Sequence, residues 1–166
     1  MHIHIAELNA GLGKELPFSF TTAAADIDAT AADYAFEGPI EVEGHVMNTG
    51  TGYRVEGVIR ARKRFICDRC LEECLEAQEH AFSEMFRQGT PAENDDANFF
   101  DGDEIELQEL VRDTLLAAQP LSNICKPDCK GLCPVCGANL NHGDCGCDRF
   151  VPDPRLAALQ QFQAKE

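Results

Sequence analysis

Nine cysteines are the residues of this 166-residue sequence best suited to chemistry. Thiolates separated by two residues can bind one metal ion from a tight turn, and zinc favours four such ligands in a tetrahedron. Cys67 and Cys70 have this spacing, as do Cys133 and Cys136. The second pair stands in a Cys-Pro-Val-Cys-Gly run, whose proline and glycine shape a turn with backbone N–H groups facing the sulfurs. The spacing predicts metal binding rather than buried free thiols.

The remaining cysteines suggest how the ligands are shared. We favour two four-thiolate zinc sites, because a cysteine pair on each side of a tetrahedral ion strains the chain least. One site would contain Cys133, Cys136, Cys145 and Cys147, which close a small ribbon. The other would contain Cys67, Cys70, Cys125 and Cys129. Cys74 is left over, which matches the odd count.

Other uses of these thiols need weighing. A rival assignment puts Cys125, Cys129, Cys133 and Cys136 on one ion, and His142 is an alternative ligand. The spacing from Cys129 to Cys136 is also that of a radical-type iron–sulfur motif, but too little chain follows it for the barrel of such an enzyme. A redox dithiol would belong in a βα turn, which the surrounding pattern does not predict. With no glycine-rich phosphate loop and no nucleophile–base pair in view, we expect no enzymatic activity.

Charge narrows the class of partner. The chain has 14 basic and 29 acidic residues, a formal net charge of −15. Such a protein is repelled by the phosphate backbone, so a general nucleic-acid binder is disfavoured and a cationic protein partner is favoured. No apolar run is long enough to span a membrane. The first residues lack the pattern of a secretory signal, so we expect a cytoplasmic protein with reduced thiols.

Two strands of alternating polarity are predicted between residues 34 and 66. In the first, apolar residues such as Val42 alternate with glutamates such as Glu41. The second runs from Tyr53 to Ile66 with the same period of two. A turn with two glycines separates them at residues 48–52. The pattern predicts a β-hairpin with one buried and one solvent-facing side.

The second strand carries a basic stripe. Arg60, Arg62 and Arg64 share its solvent-facing side, with Lys63 and Arg69 close by. We interpret the stripe as a sheet face that balances the glutamates of the neighbouring strand. The alternative is a local anion-binding surface that contacts RNA phosphate.

The rest of the chain predicts one main helix. Residues 107–119 place one apolar stripe at helical spacing: Leu107, Leu110, Val111, Thr114, Leu115 and Ala118. Asp103 and Glu106 have the form of a capping box, and Pro120 ends the helix. Residues 89–106 are acidic and predict a solvated loop. A short helix with proline at its first position is predicted after Asp153.

Shorter patterns complete the expected fold. Strand-like pieces occupy His2–Leu8 and Leu16–Thr22, and residues 75–86 suit a strand or a helix. We therefore predict an α+β fold: an antiparallel β-sheet core, one main buried helix and a small C-terminal cysteine-rich zinc ribbon. The expected division is a β-rich core at residues 1–120 and a zinc-binding segment at residues 121–166.

Four blocks of this sequence resemble one family in the same order. They are Cys67-Asp68-Arg69-Cys70-Leu71, the helix from Glu106 to Pro120, the run from Asp128 through Cys133-Pro134-Val135-Cys136-Gly137 to Asn141, and Asp153-Pro154-Arg155-Leu156. Together these blocks resemble the YceD family, the large ribosomal RNA subunit accumulation proteins. The resemblance spans about residues 34–162.

The resemblance implies a non-catalytic ribosome biogenesis factor of bacteria, with relatives in plastids. Its role would be the synthesis, processing or stability of 23S ribosomal RNA in the large subunit. It also implies a partner, the small zinc-ribbon ribosomal protein of the large subunit. Because the chain is so acidic, we favour an escort of a basic ribosomal protein over direct RNA binding. The alternatives are a zinc-dependent interaction module in transcription and a redox or iron–sulfur protein.

Overall fold

The chain forms two compact units in a computed structural model that describes residues 1–90, 97–149 and 155. The first unit consists of Met1–Ile66 and Glu73–Asn123. The second consists of Cys67–Glu72 and the described part of Ile124–Glu166. The division predicted at residue 120 stays a prediction; the second unit differs from it by including residues 67–72.

Seven strands and one α-helix make up the regular structure of the described residues. They are β1 (His2–His4), β2 (Glu15–Thr22), β3 (Tyr34–Asn48), β4 (Tyr53–Ile66), β5 (Glu73–Gln88), β6 (Asn98–Phe100), β7 (Glu104–Glu106) and α1 (Gln108–Ala117). Two short 3-10 helices lie at Leu8–Ala10 and Ala24–Ile27. The predicted antiparallel sheet with one helix is therefore confirmed.

The main sheet has the order β2-β3-β4-β5-β6. All its neighbours are antiparallel except the short parallel pair β5–β6. The predicted hairpin is β3–β4, with Val46 opposite Val55. Residues 75–86, for which a strand and a helix were both open, form a strand within β5.

One cross-strand pair of the β3–β4 hairpin consists of two glycines, and the close backbone approach there leaves no room for a side chain. Gly44 lies opposite Gly57, and a Cβ built on Gly44 would stand 2.1 Å from the carbonyl oxygen of Glu56. Real Cβ atoms do not approach so closely, so a larger residue would force the strands apart. The ring of Phe18 also fills the space beside Gly44. Close backbone approach is the usual reason for glycine inside a strand.

The core of the first unit lies beneath one face of this sheet. Three residues of the predicted helical stripe are fully buried: Leu107, Val111 and Leu115. Leu110 and Thr114 are half-buried, and Ala118 is exposed, so the stripe is wrong at its last member. From the sheet, Val42 and Ile59 are also fully buried. Burying each such side chain contributes roughly 1.5–3 kcal/mol to the free energy of folding, relative to leaving it exposed. The apolar stripe of α1 thus anchors the helix in the core.

The structure corrects the region before α1. Residues 104–106 form β7, which pairs with β1 and places Ile105 opposite Ile3. Leu107 occupies the N-cap position without a side-chain hydrogen bond, so the predicted capping box is wrong. The predicted loop at residues 89–106 is wrong at β6 and β7. Phe100 and Ile105 are buried. Burial of these two apolar residues stabilises the strand conformation of an otherwise acidic segment.

Lys63 also departs from expectation, since it faces the interior rather than the arginine stripe. Its side chain is 1% exposed, and its Nζ lies 2.6 Å from Oδ1 of Asn123. The ammonium also lies 4.5 Å from the ring centre of Tyr34 and 5.2 Å from that of Phe65. Hydrogen bonding and cation–π contact compensate the cost of burying this charge.

The short helix predicted after Asp153 lies outside the described residues, apart from Arg155. Among the helices of residues 1–90 and 97–149, none is long and apolar enough to cross a membrane.

Candidate metal centres

Eight of the nine cysteines gather into two groups of four in the second unit. The first group contains Cys67, Cys70, Cys125 and Cys129. The second contains Cys133, Cys136, Cys145 and Cys147. Within each group all sulfurs lie within 4.8 Å of one another. The structure brings together the same fours that the two-site scheme predicts, and it does not form the rival set of Cys125, Cys129, Cys133 and Cys136.

The first group combines a turn between β4 and β5 with the chain after α1. The Sγ atoms of Cys67 and Cys129 are 3.9 Å apart, and those of Cys70 and Cys125 are 3.7 Å apart. Four sulfurs at 2.3 Å from a central ion in a tetrahedron stand about 3.8 Å from one another. Cys67, Cys70 and Cys129 are buried, and all nine cysteines carry free thiols. The arrangement can therefore hold a four-coordinate metal ion.

The second group is built on a shorter stretch of chain and is more accessible. Cys133 is buried, Cys145 and Cys147 are half-buried, and Cys136 is exposed. An antiparallel bridge between Leu132 and Asn139 closes the turn that carries the Cys133–Cys136 pair. This group can hold an ion of the same kind.

The two Cys-x2-Cys turns have the same backbone plan. In each, the N–H of the residue after the second cysteine donates to the carbonyl of the first, from Leu71 to Cys67 and from Gly137 to Cys133, both at 2.9 Å. The backbone of that residue adopts the left-handed conformation in both turns, with φ of 59° at Leu71 and 74° at Gly137. Glycine adopts this conformation freely, whereas leucine does so at a cost of about 1–2 kcal/mol. Leu71 is nevertheless 64% exposed.

Backbone donors favour the thiolate form at one cysteine of each turn. Burial alone would raise the pKa of Cys67, but N–H groups of Cys125, Cys70 and Arg69 donate to its sulfur and lower the pKa to about 6. In the second turn, N–H groups of Cys136 and Val135 lower the pKa of Cys133 to about 6. Donors aimed at a sulfur stabilise its negative charge, as a metal-binding thiolate requires.

Other thiols of the same groups shift in the opposite direction. Burial and the neighbouring cysteines raise the pKa of Cys125. Hydrogen bonding to Cys136 and Cys145 raises the pKa of Cys147 to about 12. Four adjacent thiolates repel one another, so full ionisation of a group needs a cation at its centre.

Asn141 joins the first group as a supporting residue. Its Nδ2 donates to the Sγ of Cys129 at 3.3 Å, and its Oδ1 accepts the backbone N–H of Lys130 at 2.9 Å. This hydrogen bond lowers the pKa of Cys129. Sequence reasoning missed this role. The Asn139-x-Asn141 spacing just after the second turn was the available signal, since Oδ1 of Asn139 fixes the Asn141 side chain at 2.9 Å.

His142 and Cys74 lie outside both groups. The Nε2 of His142 is 2.8 Å from a carboxylate oxygen of Glu72, so the histidine faces an acid rather than a thiol cluster. That contact lowers the pKa of Glu72. Cys74 lies in β5 of the first unit, opposite Phe65 of β4.

The arginine stripe lies on β4, between carboxylates of β3 and β5. Arg60 contacts Glu43 at 2.7 Å and Glu79 at 3.0 Å. Arg64 contacts Glu37 at 2.8 Å and Glu73 at 3.1 Å. Two of the three arginines are thus each held between two carboxylates, the cross-strand pairing that we favoured. An anion contact at Arg60, Arg62 and Arg64 stays a prediction.

The acidic charge belongs almost entirely to one unit. By sequence, the first unit has 8 basic and 22 acidic residues, whereas the second has 6 and 7. The formal charges are therefore −14 and −1. A cationic partner would be attracted to the first unit.

Comparison with known proteins adds a family and distant relatives. The family profile described as "Large ribosomal RNA subunit accumulation protein YceD" matches residues 55–163. An uncharacterized protein of Mycobacterium tuberculosis is 29% identical over 132 residues, covering 76% of this chain and 63% of the relative. A chloroplast protein of Arabidopsis thaliana, named large ribosomal RNA subunit accumulation protein YCED homolog 1, is 27% identical over 169 residues. That match covers 81% of this chain and 53% of the relative.

The maize protein of the same name is 28% identical over 135 residues, covering 62% of this chain and 46% of the relative. The chain thus spans between about half and two thirds of the length of these relatives. No solved structure matches it.

Proposed function

Because this chain belongs to the YceD family of large ribosomal RNA subunit accumulation proteins, we propose that it supports the accumulation of 23S ribosomal RNA without catalysing a reaction. The family match, which includes every cysteine of both groups, carries this proposal. The names of the two plant relatives agree with it. A ribosome-directed role in turn suggests the cytoplasm as its location.

A non-catalytic role agrees with the environment of the histidines. His2 and His4 lie beside Glu104, and His45 lies beside Glu56. The hydroxyl of Ser83 donates to the same Glu56 at 2.9 Å. In this arrangement the carboxylate lies between the imidazole and the hydroxyl, whereas a hydrolytic triad requires the imidazole in the middle.

Zinc is the metal that we propose for both cysteine groups. A tetrahedral set of four thiolates selects zinc or an iron–sulfur centre among common metals. Four protein ligands leave no open position, which is typical of a structural zinc site. In each group the ion would neutralise thiolates, and in the first group it would also hold together segments that are distant in sequence. Absorbance tests the choice, since zinc thiolates are colourless in the visible range and a brown protein would indicate iron.

We further propose that the protein acts through a basic protein of the large subunit rather than as a general RNA binder. The support is the formal charge of −14 on the first unit, together with the pairing of Arg60 and Arg64 by carboxylates. Carboxylates repel phosphate and attract lysine and arginine. The small zinc-ribbon ribosomal protein is our first candidate.

Loss of the gene tests the function. We expect the ratio of large- to small-subunit ribosomal RNA to fall, with a matching loss of large subunits on a gradient. Wild-type protein should restore the ratio, and Cys74→Ser should restore it equally. An unchanged ratio under slow, fast and cold growth would contradict the proposal. Recovery of RNA polymerase, rather than ribosomal protein, with the tagged chain would favour a transcription module.

A further inference from the structure

β5 presents a long sheet edge on the side away from β4. It pairs with β4 continuously from Glu73 to Phe86, but with β6 only from Phe86 to Gln88. Among residues 1–90 and 97–149, no strand pairs with the outer side of Leu75–Met85. Neighbouring residues of a strand direct their N–H and C=O groups to opposite sides. Every second residue of this stretch therefore offers a donor and an acceptor outward.

This edge lacks all but one of the usual obstacles to pairing. Natural sheet edges are protected by short strands, charged side chains, prolines or bulges. β5 has 16 residues, its register with β4 has no shift, and Leu75–Met85 contains no proline, lysine or arginine. Carboxylates are its remaining feature, at Glu76, Glu79 and Glu84.

The carboxylates indicate what the edge can accept. Two copies joined edge to edge would bring glutamates against glutamates, which destabilises a strand pair. A strand with lysine or arginine would instead place opposite charges across the new pair. Glu79 contacts Arg60 on the solvent-facing side. Glu76 and Glu84 share the opposite face of β5, where Glu76 accepts a hydrogen bond from Gln78 at 3.0 Å. A partner strand with basic residues on that face would meet both carboxylates. The exposed Ala77 and Ala81 leave room for apolar side chains on the solvent-facing side.

We propose that the outer edge of Leu75–Met85 binds an extended segment of a basic protein, which adds to the sheet as a further strand. Main-chain hydrogen bonds supply affinity in this mode, and alternate side chains supply specificity. Only the identification of that protein as ribosomal rests on the proposed function. Strand addition itself depends on the geometry and charge of β5.

Two labelled peptides of identical composition test the edge on the full-length protein. The first alternates lysine and valine over ten residues, and the second places the five lysines and five valines in separate blocks. We expect the alternating peptide to bind about tenfold more tightly, because only it presents one charged and one apolar face as a strand. Amide exchange should slow at every second residue of Leu75–Met85, the alternation that only strand addition produces.

A matched pair of variants tests the charges. The double variant Glu76→Gln with Glu84→Gln should bind the alternating peptide about three- to tenfold more weakly, as expected for the loss of two surface ion pairs. Glu7→Gln with Asp28→Asn removes the same charge at two exposed positions outside the strands and should change affinity less than about twofold.

Three results would overturn the proposal. Equal affinity for both peptides would indicate simple charge attraction. Slow amide exchange at Leu75–Met85 without peptide would indicate that the chain itself covers the edge. Concentration-dependent protection of β5 would indicate that a second copy binds there. Failure of the proposed function would look different. Gene loss would then leave ribosomal RNA unchanged while peptide binding at β5 persisted.

Discussion

The side-chain amide of Asn141 donates a hydrogen bond to the sulfur of Cys129, with 3.3 Å between Nδ2 and Sγ. Asn141 follows the turn of the second cysteine group, whereas Cys129 belongs to the first. One amide therefore supports a proposed ligand of the first centre from the segment that builds the other. Such supporting contacts orient a ligand and stabilise its charge.

Asn141→Ala should weaken metal retention at the first centre by about 10- to 100-fold, the usual effect of removing a supporting hydrogen bond. Titration with a chromogenic zinc chelator measures this effect. The variant should lose one of its two zinc equivalents at a lower chelator concentration than the wild type. Asn98→Ala, at an exposed position of β6, is the control and should release zinc like the wild type. Identical release by both variants would contradict the role of Asn141.

Metal content should separate the cysteines into three classes. Cys67→Ser and Cys145→Ser should each lose one of two zinc equivalents, from different centres, and Cys74→Ser should keep both. Cys67→Ser should also lower the melting temperature, because the free energy of metal binding contributes to folding. Elemental analysis of purified protein and a thermal melt measure these effects. Loss of both equivalents in either variant would indicate a single shared cluster.

Leu71→Gly should stabilise the protein. Relief of the left-handed strain gains about 1–2 kcal/mol, and the greater freedom of glycine in the unfolded chain removes about 0.4–1 kcal/mol. The net gain is about 0.5–1 kcal/mol, measured by urea denaturation of the metal-loaded protein. Leu121→Gly is the control, since Leu121 is exposed and is not among the residues with positive φ. A loss of stability at Leu71→Gly would mean that the leucine makes contacts that outweigh the strain.

Lys63→Ala should cost about 2–4 kcal/mol of unfolding free energy, because it removes a charged hydrogen bond and the cation–π contacts. Arg62→Ala changes the adjacent residue on the solvent-facing side and should stay within about 0.5 kcal/mol of wild type. Urea denaturation of the two variants measures the difference. Equal costs would show that Lys63 is not specifically held by its surroundings.

Leu115→Ala should cost about 2–5 kcal/mol, as expected when a fully buried leucine leaves a cavity. Leu12→Ala is the control, because Leu12 is 79% exposed and should contribute little. The same denaturation series reports both. A small effect at Leu115 would mean that α1 repacks on the sheet.

Much of this architecture is decided by local patterns. Alternation of period two marks β3 and β4, because each strand has one face in the core. Helical spacing marks the residues of α1 that are buried, and the two-residue spacing of Cys67–Cys70 and Cys133–Cys136 marks both turns. The acidity is a property of composition alone. For these features a few neighbouring residues contain all the information.

Only the tertiary structure decided what depends on contacts between distant segments. It brought Cys125 and Cys129 to Cys67 and Cys70, with the backbone N–H of Cys125 3.3 Å from the sulfur of Cys67. It paired β7 with β1 inside a segment that composition predicts as a loop. Among the described residues, it also left the outer side of Leu75–Met85 without a paired strand. The spacing of residues within one segment does not specify which distant segment it contacts. Those contacts depend on how the whole chain buries its apolar surface.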